Sequence, residues 1–427
     1  MSVSRRAVLS WAFYDWANSA FSTTVIAGFF PIFFKSYWGG ALSATESTRW
    51  LGYSLSISAL LVALIGPFLG AMADQAGTKK RSLAIFTALG IGSTAGLAFV
   101  GEGMWQLAAF LYVLATIGFL CSIIFYDSLL VGITDERSVD VVSARGYALG
   151  YLGGGILFAF NAFAASSPET FGLSGRVEAV KLSFLTVAVW WALFSLPLLL
   201  FVPEPPGGTP MKFLEGVRRG YGQLRHTFNG IRRIKMALLF LLAYWFYIDG
   251  VDTVIGMAGD FGKAIGFPDE VLITGLLLVQ FVAFPFAILM GRIGKWWGPR
   301  KAILLSLFIY ALVTTVGSRI TTEPVKIFGF ETNQFYLLAF MVATVQGGVQ
   351  ALSRSFFARL IPADRAAEFF GFYNMLGKFA AIVGPFLVAT VVTTTGDSRA
   401  GIQAIIALFV IGGGLLLFVN DRTARQQ

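Results

Sequence analysis

Three ionisable residues stand inside segments that are otherwise apolar enough to cross a membrane. Asp249 and Asp252 lie in one such segment, and Lys378 lies in another. A charged side chain in the hydrocarbon core costs about 2.5–3.5 kcal/mol on the insertion scale, so ionisable residues that occur there face a cavity or a partner. At about 1.5 Å of rise per residue, all three come roughly halfway along their segments. Their spacing also places the two aspartates on the same helical face.

Opposite charges at one depth of a membrane have two possible uses. Lys378 could form a buried ion pair with Asp249 or Asp252 that fixes the packing of two helices. Alternatively, the lysine could bind the carboxylate of a zwitterionic solute while an aspartate binds its ammonium group. The residues alone leave both interpretations open, and both predict that these side chains share one polar region.

Asp15 poses a similar question in the stretch WAFYDWANSAF at 11–21. It falls about one turn inside the inner membrane boundary, next to Tyr14 and Asn18, which can hydrogen-bond it. Such a carboxylate could carry a coupled proton, belong to an inner gate or position its helix. Neutral polar residues extend the candidate path, although each alone is more often an interhelical hydrogen bond worth about 0.6–2 kcal/mol. The set is Tyr14, Asn18, Asn161, Gln280, Gln346, Gln350, Tyr373 and Asn374.

The segments that must position these residues are predicted from composition and hydropathy. Only 13% of the 427 residues are charged and the mean hydropathy is +0.73, whereas soluble domains are about 25% charged. A transmembrane helix needs about 20 mostly apolar residues. The predicted spans are 11–38, 50–72, 82–100, 105–131, 142–167, 179–202, 236–260, 271–293, 301–318, 335–355, 366–392 and 400–419. The fold class is therefore an all-α integral membrane protein with twelve transmembrane helices.

The distribution of basic residues predicts the orientation. If both termini are cytoplasmic, 23 of the 32 lysines and arginines fall in inner segments, eight fall in outer segments, and Lys378 lies within a span. This bias follows the positive-inside rule, so both termini are expected on the cytoplasmic side of a bacterial inner membrane. The net charge of +9 is better explained by these inner loops than by nucleic-acid binding.

The composition gives little support to enzyme chemistry. The chain has one histidine, His226, and one cysteine, Cys121, which leaves no set for a zinc site or a Cys–His pair. Asp249 and Asp252 share one helix, which is a poor geometry for a pair of catalytic carboxylates. No GxxxxGK(S/T) sequence occurs, so direct use of ATP is not expected. No cofactor or metal is predicted.

The hydropathy pattern divides after the sixth span. The turn-prone stretch PEPPGG at 203–208 precedes a basic segment, Met211–Lys235, whose apolar residues recur at steps of three and four. This segment is predicted to be an amphipathic helix on the inner leaflet, with a partly ordered basic linker as the alternative. The domains are therefore predicted as a six-helix bundle at 1–202, a cytoplasmic linker at 203–235 and a second six-helix bundle at 236–427.

Two inner loops of the first half recur in the second half. GAMADQAGTKKR at 70–81 matches GRIGKWWGPRK at 291–301, and each has two glycines seven residues apart before a basic cluster. DSLLVGITDER at 127–137 matches RSFFARLIPADR at 354–365. Repeats in the same order are typical of transporters.

A gate contact is predicted at the second pair of loops. Asp127 and Arg354 begin the matching stretches, at comparable inner ends of the fourth and tenth spans. The opposite charges could close an inner gate as a salt bridge. Alternatively, they could remain separate charges at the level of the lipid headgroups.

The loop at 70–81 resembles the signature of the major facilitator superfamily, Gly-x-x-x-Asp-x-x-Gly followed by basic residues. The matching residues are Gly70, Asp74, Gly77, Lys79, Lys80 and Arg81. The resemblance implies two pseudo-symmetric six-helix bundles. It also implies that Asp74 closes an inner gate with a helix N-terminus and an arginine, and it places Lys79 and Arg81 at that gate. Lys295 takes the place of the aspartate in the second copy, so an asymmetric gate is expected.

The opening segment narrows this resemblance. SWAFYDWANSAFSTTVIAGFFPIFFKSYW, with AYWFYIDGVDTVI at 243–255, resembles the branch of vacuolar amino-acid effluxers linked to autophagy and its bacterial relatives. The resemblance implies a secondary active transporter that moves a small polar solute, such as an amino acid or related zwitterion, by alternating access. Proton coupling is expected because carboxylates are available within the spans. The alternative is a transporter of lipids or amphiphiles, or an exporter of sugars or drugs. The expected partners are the solute, the proton and the lipid bilayer, and the expected state is a monomer.

Overall fold

The computed structural model describes residues 4–204, 235–327 and 329–420. Within these ranges, ten helices are long and apolar enough to cross a membrane. The amphipathic helix predicted at 211–235 lies outside the described residues, apart from Lys235. Its alternative, a partly ordered linker, therefore stays open as well.

Helices occupy all twelve predicted spans. In the first half they are α1 (Arg5–Trp38), α2 (Ala44–Ala76), α3 (Lys79–Leu97), α4 (Trp105–Ile133), α5 (Val139–Ser166) and α6 (Arg176–Phe201). In the second half they are α7 (Lys235–Ile265), α8 (Asp269–Trp297), α9 (Pro299–Gly317), α10 (Gln334–Leu360), α11 (Ala366–Thr395) and α12, which joins Ser398–Ala404 to Ile406–Leu417. An antiparallel hairpin of β1 (Pro324–Ile327) and β2 (Phe330–Asn333) precedes α10. The all-α fold class is thereby confirmed, with this small hairpin as an addition.

Two of these helices, α3 and α11, are not among the ten whose described residues are long and apolar enough to cross a membrane. α3 opens with three basic residues and continues with many small and polar ones. In α11 the described residues include a shorter apolar segment, Val383–Thr395. α1 departs from regular geometry in another way, because π-helical turns cover Phe21–Phe29 and Phe34–Trp38.

Helix ends are fixed by local chemistry that the sequence carries. Ser43 and Glu46 form a capping box at the start of α2, and hydrogen bonds from Ser43 hold the pKa of Glu46 below its ordinary value. Gly77 ends α2 at φ 62° and Gly298 ends α8 at φ 87°. Both angles lie in the left-handed region that favours glycine. The two loops that repeat in sequence therefore also end their helices with equivalent glycines.

The described residues group into two compact units. Unit 1 holds the chain up to Asp135, then Leu149 to Glu204, and Ala363–Met375; unit 2 holds Glu136–Ala148, Lys235 to Pro362, and Leu376 to Asn420. α5 therefore begins in unit 2 and continues in unit 1, whereas α11 begins in unit 1 and continues in unit 2. The division at 1–202, 203–235 and 236–427 stays a prediction.

Close approach of helices holds each unit together. Burying apolar side chains brings little gain when lipid is the solvent, so tight packing against small residues becomes important. In unit 1, Gly90 of α3 lies against the indole of Trp191 on α6 and leaves no room for a Cβ. In unit 2, Gly412 of α12 lies against the backbone of Tyr247 on α7 and also leaves no room for a Cβ.

Candidate functional site

Asp15 occupies a buried hydrogen-bonding environment between α1 and α4 in unit 1. It is 9% exposed, and the hydroxyl of Tyr126 donates to its Oδ2 at 2.7 Å. The indole Nε1 of Trp11 donates to the Tyr126 carbonyl at 2.9 Å, and the two rings stack with centroids 4.3 Å apart. Asp15 is therefore held in position by a tyrosine that is itself fixed by a tryptophan.

Tyr14 and Asn18 flank Asp15 but differ in their bonding. The Tyr14 hydroxyl lies 2.6 Å from Oγ1 of Thr87, so it packs α1 against α3. Asn18 is 2% exposed, and its amide nitrogen has no hydrogen-bond partner among the described residues. A buried amide donor without a partner is uncommon in proteins. Asn18 therefore has bonding capacity left for a ligand or a water molecule, as do Nε1 of Trp16 and Oγ1 of Thr24 on the same helix.

Asp127 and Asn374 come together in unit 1. The Asn374 amide donates to Oδ2 of Asp127 at 3.3 Å and to the carbonyl of Phe370 at 3.0 Å. Asp127 is 3% exposed. The contact joins two predicted site residues, one from each half of the sequence. A salt bridge between Asp127 and Arg354 stays a prediction.

Asp249 on α7 binds the backbone of α11 within unit 2. The carboxylate is 1% exposed, and both of its oxygens accept from the N–H of Gly384, at 2.9 and 2.8 Å. Thr253, one turn later on α7, donates to Oδ1 at 3.5 Å. A Cβ at Gly384 would collide with Thr253 and Asp249. Since Pro385 follows inside the helix, the carboxylate supports α11 where proline weakens its hydrogen bonding.

The other predicted residues of unit 2 are less sharply placed. Asp252 is half-buried on α7. Lys378 lies within α11, but its side chain lies outside the described part of the chain, so its pairing with either aspartate stays a prediction. Gln346 on α10 is 8% exposed, and its Oε1 has no partner among the described residues. Gln350 is half-buried one turn further on.

The first turn of α11 is held by Asp74 at the end of α2. The carboxylate accepts from the N–H groups of Ala367 at 3.2 Å and Glu368 at 2.8 Å, and Lys79 lies 2.7 Å from its Oδ1. Negative charge at a helix N-terminus is stabilising. Gly70, one turn earlier, leaves no room for a Cβ against the backbone of Ala367. We call Asp74, Lys79, Ala367 and Glu368 the α11 latch.

A different set of contacts holds the first turns of α5 in unit 2. Asp140 is fully buried, accepts from Oγ of Ser355 at 2.6 Å and forms an ion pair with Arg359. Arg354 donates from Nε to Oγ and from Nη2 to the carbonyl of Ser143, both at 2.9 Å. We call Asp140, Ser143, Arg354, Ser355 and Arg359 the α5 latch.

Comparison with known proteins identifies the group to which this fold belongs. The family model described as vacuole effluxer Atg22 like matches residues 38–138 and 133–427. The chain belongs to this Atg22-like family. The uncharacterized MFS-type transporter YxiO of Bacillus subtilis (strain 168) is 40% identical over 97% of this chain and 95% of its own length. Autophagy-related protein 22 of Yarrowia lipolytica is 27% identical over 67% of this chain and 51% of its own length, so the chain spans about half of that fungal relative.

Solved structures confirm the major facilitator fold of this Atg22-like chain. The proton:xylose symporter XylE aligns with a TM-score of 0.69 at 15% identity, over 97% of this chain and 94% of that one. The human organic anion transporter MFSD10 aligns with a TM-score of 0.71 at 16% identity, over 96% and 99%. At such low identity the likeness shows the fold alone.

The second loop copy of the Atg22-like chain differs from the first, in line with the replacement of the aspartate. Lys295 is exposed rather than bonded to a helix N-terminus. Arg300, which matches Lys79, donates instead to the carbonyls of Leu417 at 3.2 Å and Val419 at 3.0 Å at the end of α12. The second loop therefore closes a helix C-terminus and does not supply the carboxylate of a latch.

Sequence reasoning missed four residues of the α5 latch, Asp140, Ser143, Ser355 and Arg359. One signal was available, because Asp140 is an acidic residue in the first turn of a span and the end of α10 carries Arg354 and Arg359 five residues apart. Among the predicted gate residues, Asp74 and Lys79 do meet, whereas Arg81 is exposed. No group of acidic, histidine or cysteine side chains able to hold a metal occurs among the described residues.

Proposed function

We propose that the protein is a secondary active transporter that moves a small polar solute, an amino acid or a related zwitterion, by alternating access coupled to protons. Membership in the Atg22-like family supports transport, and the major facilitator fold is shared with transporters of several solute classes. The proposed setting is the bacterial inner membrane, with both termini cytoplasmic and the protein a monomer.

Unsatisfied amide groups, taken in each unit by itself, support a polar solute. In unit 1 the buried amide nitrogen of Asn18 has no partner among the described residues, so it can donate to a carboxylate. In unit 2 the buried Oε1 of Gln346 has no partner among the described residues, so it can accept from an ammonium group. The residues proposed to bind the solute or the proton are Tyr14, Asp15, Asn18, Asp249, Asp252, Gln346, Gln350, Asn374 and Lys378.

The bonding of Asp249 is the single observation that carries proton coupling. Among the described side chains, this buried carboxylate has only the neutral donors Gly384 N–H and Thr253 hydroxyl, and a second carboxylate, Asp252, stands three residues away. Asp74 and Asp140, in contrast, each have a cation within bonding distance. A buried carboxylate that is bonded only to neutral donors among the described residues is suited to exchange a proton during a transport cycle.

The two latches supply the proposed gate. Each holds the first turns of one helix, α11 or α5, by buried charge-assisted hydrogen bonds, and such bonds are stronger than neutral ones. Alternating access requires contacts of this kind to break and re-form in every cycle. The proposed gating residues are Asp74, Lys79, Arg81, Asp127 and Arg354, together with Asp140 and Arg359.

Transport in proteoliposomes tests the proposal. Purified protein is reconstituted, a pH gradient is imposed, and uptake of labelled amino acids is compared with uptake of sugars and of a fluorescent lipid. We expect gradient-driven accumulation of one or more amino acids. Movement of the sugar or the lipid with no amino-acid transport would reject the solute class.

A variant of Asp249 tests the coupling residue. Asp249→Asn keeps an oxygen for the Gly384 N–H but has no proton to release, so we expect exchange of solute to survive while gradient-driven accumulation is lost. Glu102→Gln removes an exposed acid and serves as the matched control. Transport that ignores both the gradient and Asp249→Asn contradicts proton coupling through this residue.

A further inference from the structure

The inner end of α8 carries two exposed tryptophans beside exposed cations. Trp296 is 71% exposed and Trp297 is 59% exposed, although they are the last two residues of the helix. Arg292, Lys295 and Lys301 are exposed as well. We call these five residues the α8-end surface.

The gate does not explain this surface. In the matching loop of unit 1, Asp74 neutralises Lys79, and both side chains are buried. In the second copy, Lys295 stands in the place of that aspartate and is exposed. Residues 291–301 contain four basic residues and no acidic one. The second loop therefore carries positive charge with no acidic residue of its own, whereas the first loop contains an ion pair.

The length of α8 places this charge at the level of lipid headgroups. Its apolar span, Glu270–Trp297, has 28 residues, which corresponds to about 42 Å of helix. The hydrocarbon core is only about 30 Å thick, so the ends of the helix extend beyond it. Tryptophan is enriched at this interface, and long cationic side chains reach from it to phosphate groups.

We propose that the α8-end surface binds the headgroups of anionic phospholipids. Lys295 and Arg292 donate to the lipid phosphate, Lys301 adds positive potential, and the indoles lie at the boundary with the acyl chains. A zwitterionic headgroup carries its own cation and gains less from this arrangement. A second copy of the chain is a poorer occupant, since a two-fold contact would oppose one positive surface to another. The lipid phosphate thus pairs with the cations of the second loop, as the carboxylate of Asp74 pairs with Lys79 in the first loop.

Fluorescence quenching by brominated lipids tests the proposal. The protein is placed in phosphatidylcholine bicelles that contain either brominated phosphatidylglycerol or brominated phosphatidylcholine. Because the chain has ten tryptophans, the signal of this surface is the difference between the wild type and the variant W296F/W297F. We expect brominated phosphatidylglycerol to quench this difference signal more strongly, and we expect the excess to decrease as salt is added.

Charge variants identify the cause of the preference. Each neutralised cation is expected to weaken it about fivefold, so R292Q/K295Q/K301Q should abolish the excess quenching. The matched control is K35Q/R319Q/K326Q, which removes the same charge from exposed residues elsewhere and should leave the excess unchanged. Equal quenching by the two lipids, or an excess that survives the triple neutralisation of α8, overturns the proposal. A fall in oligomeric mass on W296F/W297F, measured by light scattering, also overturns it, because the surface would then join two copies.

Discussion

The α11 latch and the α5 latch perform the same mechanical task with opposite chemistry. In unit 1 the carboxylate, Asp74, belongs to the helix that receives α11, and it binds the bare N–H groups of Ala367 and Glu368. In unit 2 the carboxylate, Asp140, belongs to the first turn of α5 itself, and the receiving helix α10 supplies the cation Arg359. The equivalent helices α5 and α11 are therefore both held at their first turns. The carboxylate lies on the receiving helix in unit 1 and on the held helix in unit 2.

This difference matters because the two arrangements respond differently to the loss of one group. A helix N-terminus keeps its partial positive charge whatever the side chains are, so it accepts any hydrogen-bond acceptor that remains nearby. Loss of the carboxylate leaves a buried cation in both latches, Lys79 or Arg359, but only the α11 latch keeps bare N–H groups that a remaining acceptor can bind. The α5 latch should therefore fail more abruptly than the α11 latch.

Removal of the Asp140 carboxylate is expected to have the largest effect. In Asp140→Ala, Arg359 remains 14% exposed with no carboxylate at the position of its ion pair, and Ser355 loses its acceptor. Breaking a buried pair in this way costs about 3–5 kcal/mol. The free energy of unfolding, measured in mixed micelles with increasing SDS, should fall by that amount, and transport should fall with it.

The double variant D140A/R359Q provides the control for this effect. If the cost arises from an unpaired cation, neutralising Arg359 should recover a large part of it, as a coupling energy in a double-mutant cycle. If Asp140→Ala lowers the free energy of unfolding by less than about 1 kcal/mol, the ion pair stabilises no more than a surface pair does. The proposed difference in stability between the two latches would then be absent.

Substitutions of Gly70 and Gly291, which lie one turn before Asp74 and Lys295, are expected to have the next largest effect on stability. A Cβ at Gly70 would meet the backbone of Ala367, whereas a Cβ at Gly291 would first meet the side-chain methyl of Ala144. Overpacking of this kind costs about 1–3 kcal/mol. We expect Gly70→Ala and Gly291→Ala to destabilise similarly, but only the second to be relieved by Ala144→Gly. Recovery of Gly70→Ala by Ala367→Gly would contradict the backbone clash, since that change removes only a side chain.

The parts predicted from sequence are those that single residues and their order determine. Lipid forces spans to be apolar helices, so hydropathy predicted a helix at each of the twelve positions, ten of which are long and apolar enough to cross a membrane in the described residues. A short signature placed Asp74 at a helix end. The α5 latch depends on which turn of α10 lies against α5, and one sequence does not contain that information. The same holds for the bond from Gly384 to Asp249: the carboxylate was recognised, but a backbone N–H has no sequence signal. Asn374 was placed on the solute path, and its contact with Asp127 gives it a packing role as well.

A smaller effect is expected when Asp74 becomes neutral. Asp74→Asn keeps one oxygen for the N–H groups of α11 but leaves Lys79 without its ion pair. We expect a loss of about 1–2 kcal/mol, because the interaction of an acceptor with a helix N-terminus partly survives. Unfolding in SDS measures the loss, and Lys79→Gln in the Asp74→Asn background should return part of it. A loss as large as that of Asp140→Ala would show that the two latches are energetically alike.

The smallest effect is expected from a substitution of Lys295. It tests whether a carboxylate on the receiving helix α8 can hold α5, as Asp74 on α2 holds α11. On α2, Gly70 contacts the start of α11, and Asp74 binds the same helix start one turn later. On α8, Gly291 contacts the start of α5. Residue 295, one turn after Gly291, is therefore placed to bind the start of α5. With Asp140 present, Lys295→Asp should change the free energy of unfolding by less than about 0.5 kcal/mol, since a second carboxylate meets repulsion there. In the Asp140→Ala background it should instead restore about 1 kcal/mol by capping α5 from the receiving helix. If Lys295→Asp restores nothing in that background, then α8 does not reach the start of α5 as α2 reaches the start of α11, and the latches differ in geometry as well as in charge.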